Sequence, residues 1–174
     1  PARRAREALA ALPATAPGPQ HWLLQVRVAE EELRLGNEVE AIRHFTQARQ
    51  LVFGAGAQVD PSWLYLSLYR LGVANMRWAE TQNCALNPTA DSCILPLRGD
   101  AIHAQQTPAR QAIAALTALL DNVPPSPMDL GARWLLNIAY MTVGDYPAEV
   151  PEPYLIPSHA FESDEEFPRF HNIA

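Results

Sequence analysis

The chain of 174 residues has the length of one globular domain, and its 48% hydrophobic residues exclude the composition of a disordered protein. The formal net charge of -6 disfavours a dedicated nucleic-acid binder, because phosphate contacts need clustered positive charge. The sequence contains no apolar run of about 18 residues or more, so it predicts no membrane-spanning helix.

The first third of the chain has the apolar spacing of helices. Ala5 and Leu9 are four positions apart, a block over 22–35 is apolar over much of its circumference, and a block over 39–51 has a single apolar stripe. Gly36 separates the two longer blocks. A helix commonly ends at a glycine in a left-handed turn, so the first block is expected to end there. We expect three helices here.

Prolines mark three later helix starts, because each follows a residue that can cap a helix and none of them needs a backbone N–H at the first helical position. The pairs are Asp60-Pro61, Thr107-Pro108 and Ser126-Pro127. Asp129 adds a carboxylate three residues after Ser126, and Gly144 closes the last apolar block. Strand patterns are nearly absent, so the sequence predicts an all-α fold.

A recurring set of offsets predicts a tetratricopeptide-like array of antiparallel helix pairs over residues 1–145. In that repeat, a small, a large apolar and a small residue follow one another on the second helix, and a Leu-Gly pair lies on the first. The matches are Ala5, Leu9, Leu12 and Pro17; Ala41, Phe45 and Ala48; Leu71-Gly72; Ala112, Leu116, Leu119 and Pro124; and Leu136, Tyr140 and Gly144. An irregular helical bundle is the alternative.

Two segments fall outside the helical pattern. Residues 80–107 form an insertion that is too long for a repeat turn. Residues 146–174 are rich in proline and acidic residues, so they cannot continue a helix and are expected to form an extended strap or linker. Tyr154, Phe161, Phe167 and Phe170 are its candidate anchors, on the helical body or on a partner.

Within residues 65–174 the sequence resembles the amino-terminal region of bacterial ASPIC/UnbV-type proteins, which are similar to cartilage acidic protein. The matching stretches are Glu80 to Cys84, Ser92 to Pro96 with Gly99 and His103, Arg133 to Met141, and Phe161 to Phe170. The match departs at Asp100, where a further glycine is expected.

The resemblance implies an exported protein, periplasmic or extracellular, with a role in adhesion or assembly. In that family a helical repeat region precedes a calcium-binding FG-GAP/VCBS β-propeller. The calcium loops would lie downstream, because this chain has no Asp-x-Asp-x-Asp-Gly pattern.

Cys84 and Cys93 are the only cysteines, and both lie in the insertion. In an exported protein such a pair most simply forms a disulfide that closes a short loop. The alternatives are free buried thiols, or a copper or zinc site that uses Cys84, Cys93 and His103 with Glu80, because thiolate and imidazole suit these metals. The spacings lack the Cys-x-x-Cys pairing of a zinc module.

The functional hypothesis is a non-catalytic module for protein–protein interaction and scaffolding, which takes a protein or peptide partner and needs no cofactor. No motif marks a catalytic nucleophile or a phosphate loop, so the sequence does not support an enzyme. First helices line the groove of such arrays, and here the candidates are Arg70, Asn75, Arg77, Arg133 and Asn137. The alternatives are a metal- or redox-associated insertion and a structural subunit of a larger assembly.

Overall fold

A computed structural model of the chain describes residues 1–16, 18–54, 60–92, 94–127 and 129–162. These ranges contain six α-helices and no strand, which confirms the all-α prediction. The helices are α1 (Ala2–Ala10), α2 (Gly18–Arg34), α3 (Glu38–Gly54), α4 (Pro61–Glu80), α5 (Thr107–Asn122) and α6 (Asp129–Thr142).

One of the three predicted caps forms as predicted, and a second forms in part. Asp60 precedes α4 and accepts a hydrogen bond from the Ser62 backbone N–H at 2.8 Å. Before α6, the Ser126 backbone N–H donates to the Asp129 carboxylate at 2.7 Å, as the capping-box prediction expected, but α6 begins at Asp129 and not at Pro127. The Thr107 prediction is wrong, because Gln106 is the N-terminal cap residue of α5 and Thr107 already lies in the first helical turn.

Gly36 and Gly144 have φ angles of 78° and 80°, in the left-handed region that favours glycine. Gly36 forms the turn between α2 and α3, and Gly144 follows the end of α6. These two predicted turns are confirmed.

Each helix packs against the next one in the chain, from α1 to α6, and α4 also touches α6. α4 contributes to all three clusters of buried apolar residues. One cluster joins it to α2 and α3, and the other two join it to α5 and α6. α4 is therefore the central helix of the described body.

Two close contacts fix the position of α4. Trp22 of α2 stacks on Trp63 with ring centroids 4.5 Å apart, and its indole N–H donates to the Ser67 hydroxyl at 2.8 Å. At Gly72, an added Cβ would lie 2.8 Å from the Leu116 side chain of α5. The small residue of the Leu71-Gly72 pair therefore permits a close approach of α4 and α5.

The insertion and the strap contain only short helical turns within the described residues. A π-helical turn over Thr81–Ala85 continues α4 into the insertion, and a 3-10 turn follows at Gly99–Ala101. The strap contains 3-10 turns at Glu152–Tyr154 and Ser158–Phe161, so no α-helix forms there up to residue 162.

Candidate functional site

The π-helical turn brings Cys84 next to His103. The Cys84 Sγ lies 3.4 Å from the His103 Nε2. The backbone N–H of His103 donates to the Thr142 carbonyl at 2.8 Å, which attaches this end of the insertion to the last turn of α6. Two of the residues proposed for a disulfide or metal site are therefore within contact distance, although the sequence places them 19 positions apart.

The His103 ring is buried, with 3% of the residue exposed. This burial lowers the pKa of His103, because the charged imidazolium loses its hydration. The ring Nδ1 has no hydrogen-bond partner among the described residues. Neutral imidazole is therefore the favoured form at this position.

Cys93 lies outside the described residues, so the disulfide and metal predictions both stay predictions. Glu80, the fourth residue of the metal alternative, is at the exposed end of α4. Within the described ranges, no group of three or more His, Cys, Asp or Glu side chains could hold a metal ion.

Asn83 holds the end of the insertion, a role that the sequence did not reveal. Its carboxamide oxygen accepts the Gln105 backbone N–H at 2.9 Å, and its NH₂ donates to the Gln105 carbonyl at 3.2 Å. The same NH₂ donates to the Ala79 carbonyl one turn earlier at 2.8 Å. One buried side chain therefore joins α4 to an extended backbone.

Asn137 of α6 holds the strap in the same way. Its carboxamide oxygen accepts the Ile156 backbone N–H at 3.0 Å, and its NH₂ donates to the Tyr154 carbonyl at 2.9 Å. The NH₂ also donates to the Arg133 carbonyl one turn earlier at 2.8 Å. The Arg133 guanidinium adds a bond of 3.4 Å to the Leu155 carbonyl. Two predicted groove residues thus bind this chain's own strap.

Aromatic residues complete the attachment of the strap. Phe161 packs on Trp134 of α6 with ring centroids 4.3 Å apart, and the Tyr146 ring meets Phe161 edge-on at 5.9 Å. The Tyr154 hydroxyl donates to the Asp121 carboxylate at 2.6 Å, at the end of α5. Tyr154 and Phe161 therefore dock on the helical body, whereas Phe167 and Phe170 lie outside the described residues.

The predicted groove residues of α4 do not share one face. Arg77 is exposed, and half-buried Arg70 lies 3.4 Å from Glu30 of α2. Asn75 is only 2% exposed, and residues two positions apart on a helix point about 160° apart, so Asn75 faces away from Arg77. The Asn75 NH₂ donates to the Leu71 carbonyl at 2.9 Å, and its carboxamide oxygen has no partner among the described residues.

A stripe of accessible side chains runs along α4 at positions i, i+4, i+7 and i+11, which share one face. We call it the α4 stripe, and its members are Leu66, Arg70, Val73 and Arg77. The first three are half-buried and Arg77 is exposed. Sequence reasoning found the two arginines but missed the two apolar residues, because their burial depends on how α4 packs.

Apolar residues on α6 are also accessible. Leu130 and Trp134 are 68% and 40% exposed, and Ile138 is half-buried one turn further on. α6 approaches α4 at Gly131, where an added Cβ would lie 3.4 Å from the Tyr69 hydroxyl. The α4 stripe and this part of α6 are therefore on neighbouring helices.

A buried carboxylate joins α1 to the body. Glu32 of α2 is 2% exposed and binds the Arg6 guanidinium through both oxygens, with the Nη2–Oε2 distance at 2.7 Å. The Asn37 side chain donates to the same carboxylate at 2.8 Å. These hydrogen bonds, above all that from Arg6, lower the pKa of Glu32, although burial opposes the shift.

His44 of α3 lines the same cleft as Glu32. Its Nδ1 lies 2.6 Å from the Gln25 carboxamide oxygen, and its Nε2 lies 2.8 Å from the Arg43 guanidinium. The neutral ring with a proton on Nδ1 satisfies both contacts. Burial, followed by the charge of Arg43, lowers the pKa of His44, which favours that form.

No protein-family model, curated protein or solved structure matches this sequence. Among the described residues, no helix is both long enough and apolar enough to span a membrane.

Proposed function

We propose that this chain is a non-catalytic module for protein–protein interaction and scaffolding, in an exported protein of the periplasm or the cell exterior. Its architecture in this proposal is a tetratricopeptide-like array in which α2, α4 and α6 are the first helices and form the inner face. The observation that carries the proposal is the α4 stripe, which presents apolar and cationic side chains on the central helix. Mixed apolar and arginine surfaces are typical of protein interfaces.

The strap offers a precedent for the binding mode. α6 holds an extended segment through the carboxamide of Asn137, which bonds the backbone on both sides of Leu155, and through Trp134, which packs on an aromatic anchor. A partner segment needs the same kind of contacts, with backbone hydrogen bonds for affinity and side-chain pockets for specificity.

The location of the proposed site differs from the predicted groove. Arg70 and Arg77 stay in it, because they belong to the α4 stripe. Asn75 is buried, and Arg133 and Asn137 bind the strap, so these three residues have structural roles.

Site-specific photo-crosslinking in the native host tests the proposal. A photoreactive amino acid at Val73 should give a discrete adduct with a partner protein, and one at Gln50, exposed on α3, should not. Replacing Arg70 and Arg77 by Glu should weaken the adduct. Adducts of equal yield from both positions, or from Gln50 alone, would contradict the inner-face assignment.

We also propose that Cys84 and Cys93 form the predicted disulfide, as such a pair most simply does in an exported protein. The second candidate function, a metal- or redox-associated role of the insertion, is supported by the contact between Cys84 and His103 at 3.4 Å. Intact-mass spectrometry separates them. A mass lower by two hydrogens without bound metal supports the disulfide, whereas stoichiometric copper or zinc with reduced thiols supports the metal role.

A further inference from the structure

The charge of α4 differs from that of the whole chain. The chain has a net charge of -6, but α4 contains two arginines and a single acidic residue, Glu80, at its last position. Both arginines belong to the α4 stripe. The α4 stripe itself therefore carries two positive charges and no negative one, although Glu30 of α2 lies beside Arg70 and the charge of Glu80 acts on Arg77.

The two guanidinium groups differ in how far they are neutralised. Arg70 lies 3.4 Å from Glu30, and both side chains are partly exposed. Within the described ranges, no carboxylate lies within 4 Å of the Arg77 guanidinium. Arg77 can therefore accept a carboxylate from outside the chain without losing an ion pair.

The spacing of the stripe suggests the sequence pattern of a ligand. Arg70 and Arg77 are seven residues apart, which corresponds to about 10 Å along a helix axis. A peptide in the extended polyproline II conformation has three residues per turn and rises by about 3.1 Å per residue, so carboxylates three positions apart lie on one face and are separated by about 9 Å. Val73 lies between the two arginines, opposite the two central residues of such a peptide.

The neighbouring helix, α6, favours apolar side chains at the two central positions of the peptide. Ile138 of α6 is half-buried and lies seven positions, or about two turns, after Gly131, the point where α6 approaches Tyr69 of α4. Ile138 packs against the buried cluster that contains Met76 of α4, so Val73 and Ile138 both offer apolar surface at this end of the stripe. Nucleic acid fits this surface less well, because two guanidinium groups supply few phosphate contacts on a chain of net charge -6.

We propose, on the basis of the function proposed above, that the α4 stripe binds an extended acidic segment of a partner protein. The segment carries two carboxylates separated by two residues, of which at least one is apolar. Arg70 and Arg77 bind the carboxylates, and Val73 contacts the apolar residue between them.

Fluorescence polarisation with synthetic ten-residue peptides tests this inference. The probe contains Glu-Val-Leu-Glu flanked by glycine and serine, and the matched peptides replace both glutamates by glutamine or place them two positions apart. Two surface ion pairs are worth about tenfold in affinity, so the glutamine peptide should bind about tenfold more weakly. The Arg77→Gln variant should reduce this preference to about threefold, because only the Arg70 pair remains, and Arg4→Gln on α1, with the same charge change, should keep it in full.

Equal binding of the acidic and glutamine peptides, no binding of any peptide, or equally tight binding of a single-stranded DNA oligonucleotide would overturn the inference. The function proposed above has its own readout, which is the photo-crosslink at Val73. A partner adduct at Val73 without a preference for the acidic peptide removes only the acidic ligand. If neither the adduct at Val73 nor the preference for the acidic peptide is observed, the assignment of the inner face is contradicted as well.

Discussion

The two ends of the helical body are attached by different kinds of contact. At the amino-terminal end, α1 is joined to α2 by a charged pair, the Arg6 guanidinium on the buried Glu32 carboxylate. At the other end, the buried contacts of the strap are neutral, the Asn137 carboxamide and the stacking of Phe161 on Trp134. Charged groups contribute only at its margin, where Arg133 donates to the Leu155 carbonyl and Tyr154 donates to the Asp121 carboxylate. Charged attachments respond to pH and salt, whereas neutral ones depend on shape and hydrogen bonding.

The largest effect is expected at the aromatic anchor of the strap. Phe161 is 7% exposed, and replacing a buried Phe by Ala costs about 3 kcal/mol through lost burial and a cavity. The Phe161→Ala variant should release the strap while α1 to α6 stay folded. Hydrogen exchange of amides 150–162 should accelerate, with unchanged far-ultraviolet circular dichroism. Unchanged exchange in the strap would show that the ring does not anchor it.

The Asn137→Ala variant should have the next largest effect. It removes the acceptor of the Ile156 N–H and the donor to the Tyr154 carbonyl, which costs about 2 kcal/mol when buried groups lose their partners. Limited proteolysis should then cut near residue 156. Asn83→Ala is the matched control, because it removes the same bonds in the insertion and should leave the strap protected. Equal cleavage near residue 156 in both variants would contradict the assignment of Asn137 as the side chain that holds the strap.

Acid should loosen the amino-terminal end before the strap. The pKa of Glu32 is lower in the folded chain than in the unfolded chain, so its contribution to stability is complete above the unfolded pKa and disappears as the pH falls through the folded pKa. The protection factors of amides 5–10, which correct for the intrinsic pH dependence of exchange, should therefore fall on acidification below about pH 4. Glu32→Gln should remove this pH dependence at α1. An equal loss of protection in the strap would contradict the claim that acid weakens the α1 attachment more than the strap attachment.

The smallest effect is expected at Asn75, the third buried asparagine with a bond to the carbonyl one turn earlier. Its carboxamide oxygen has no partner among the described residues, unlike those of Asn83 and Asn137. Replacing an unsatisfied buried polar group by an apolar one of similar size is nearly neutral, so Asn75→Leu should change the free energy of unfolding by less than about 1 kcal/mol. Chemical denaturation measures this change. A loss of stability as large as that of Asn137→Ala would show that the Asn75 carboxamide oxygen has a hydrogen-bond partner after all.

Local signals predicted much of the helical body. The Asp60-Pro61 start of α4, the Ser126–Asp129 hydrogen bond and the left-handed Gly36 depend on neighbours within a few residues, so sequence alone identified them. The prediction that Thr107 caps α5 was wrong, because α5 begins one residue earlier than expected and Thr107 lies inside it. Helix boundaries commonly shift by one or two residues. The repeat array stays a prediction, because offsets of small and large residues do not by themselves fix how helices stack.

The candidate site was less predictable, because its contacts join distant parts of the chain. Asn137 was identified as a groove residue from its helix, but its partner Ile156 lies 19 positions away in the strap. Asn75 was assigned to the same groove, although only the packing of α4 decides which side is buried. The contact of Arg6 with Glu32 spans 26 positions and has no local signal.

Hydroxyl-radical footprinting of the chain bound to its crosslinked partner tests the inner-face claim most directly. Trp134 on α6 and Phe53 on α3 are both aromatic and similarly exposed, at 40% and 51%. If the partner covers the inner face, oxidation of Trp134 should fall in the complex and that of Phe53 should not change. Protection of Phe53 with unchanged oxidation of Trp134 would contradict the proposed site.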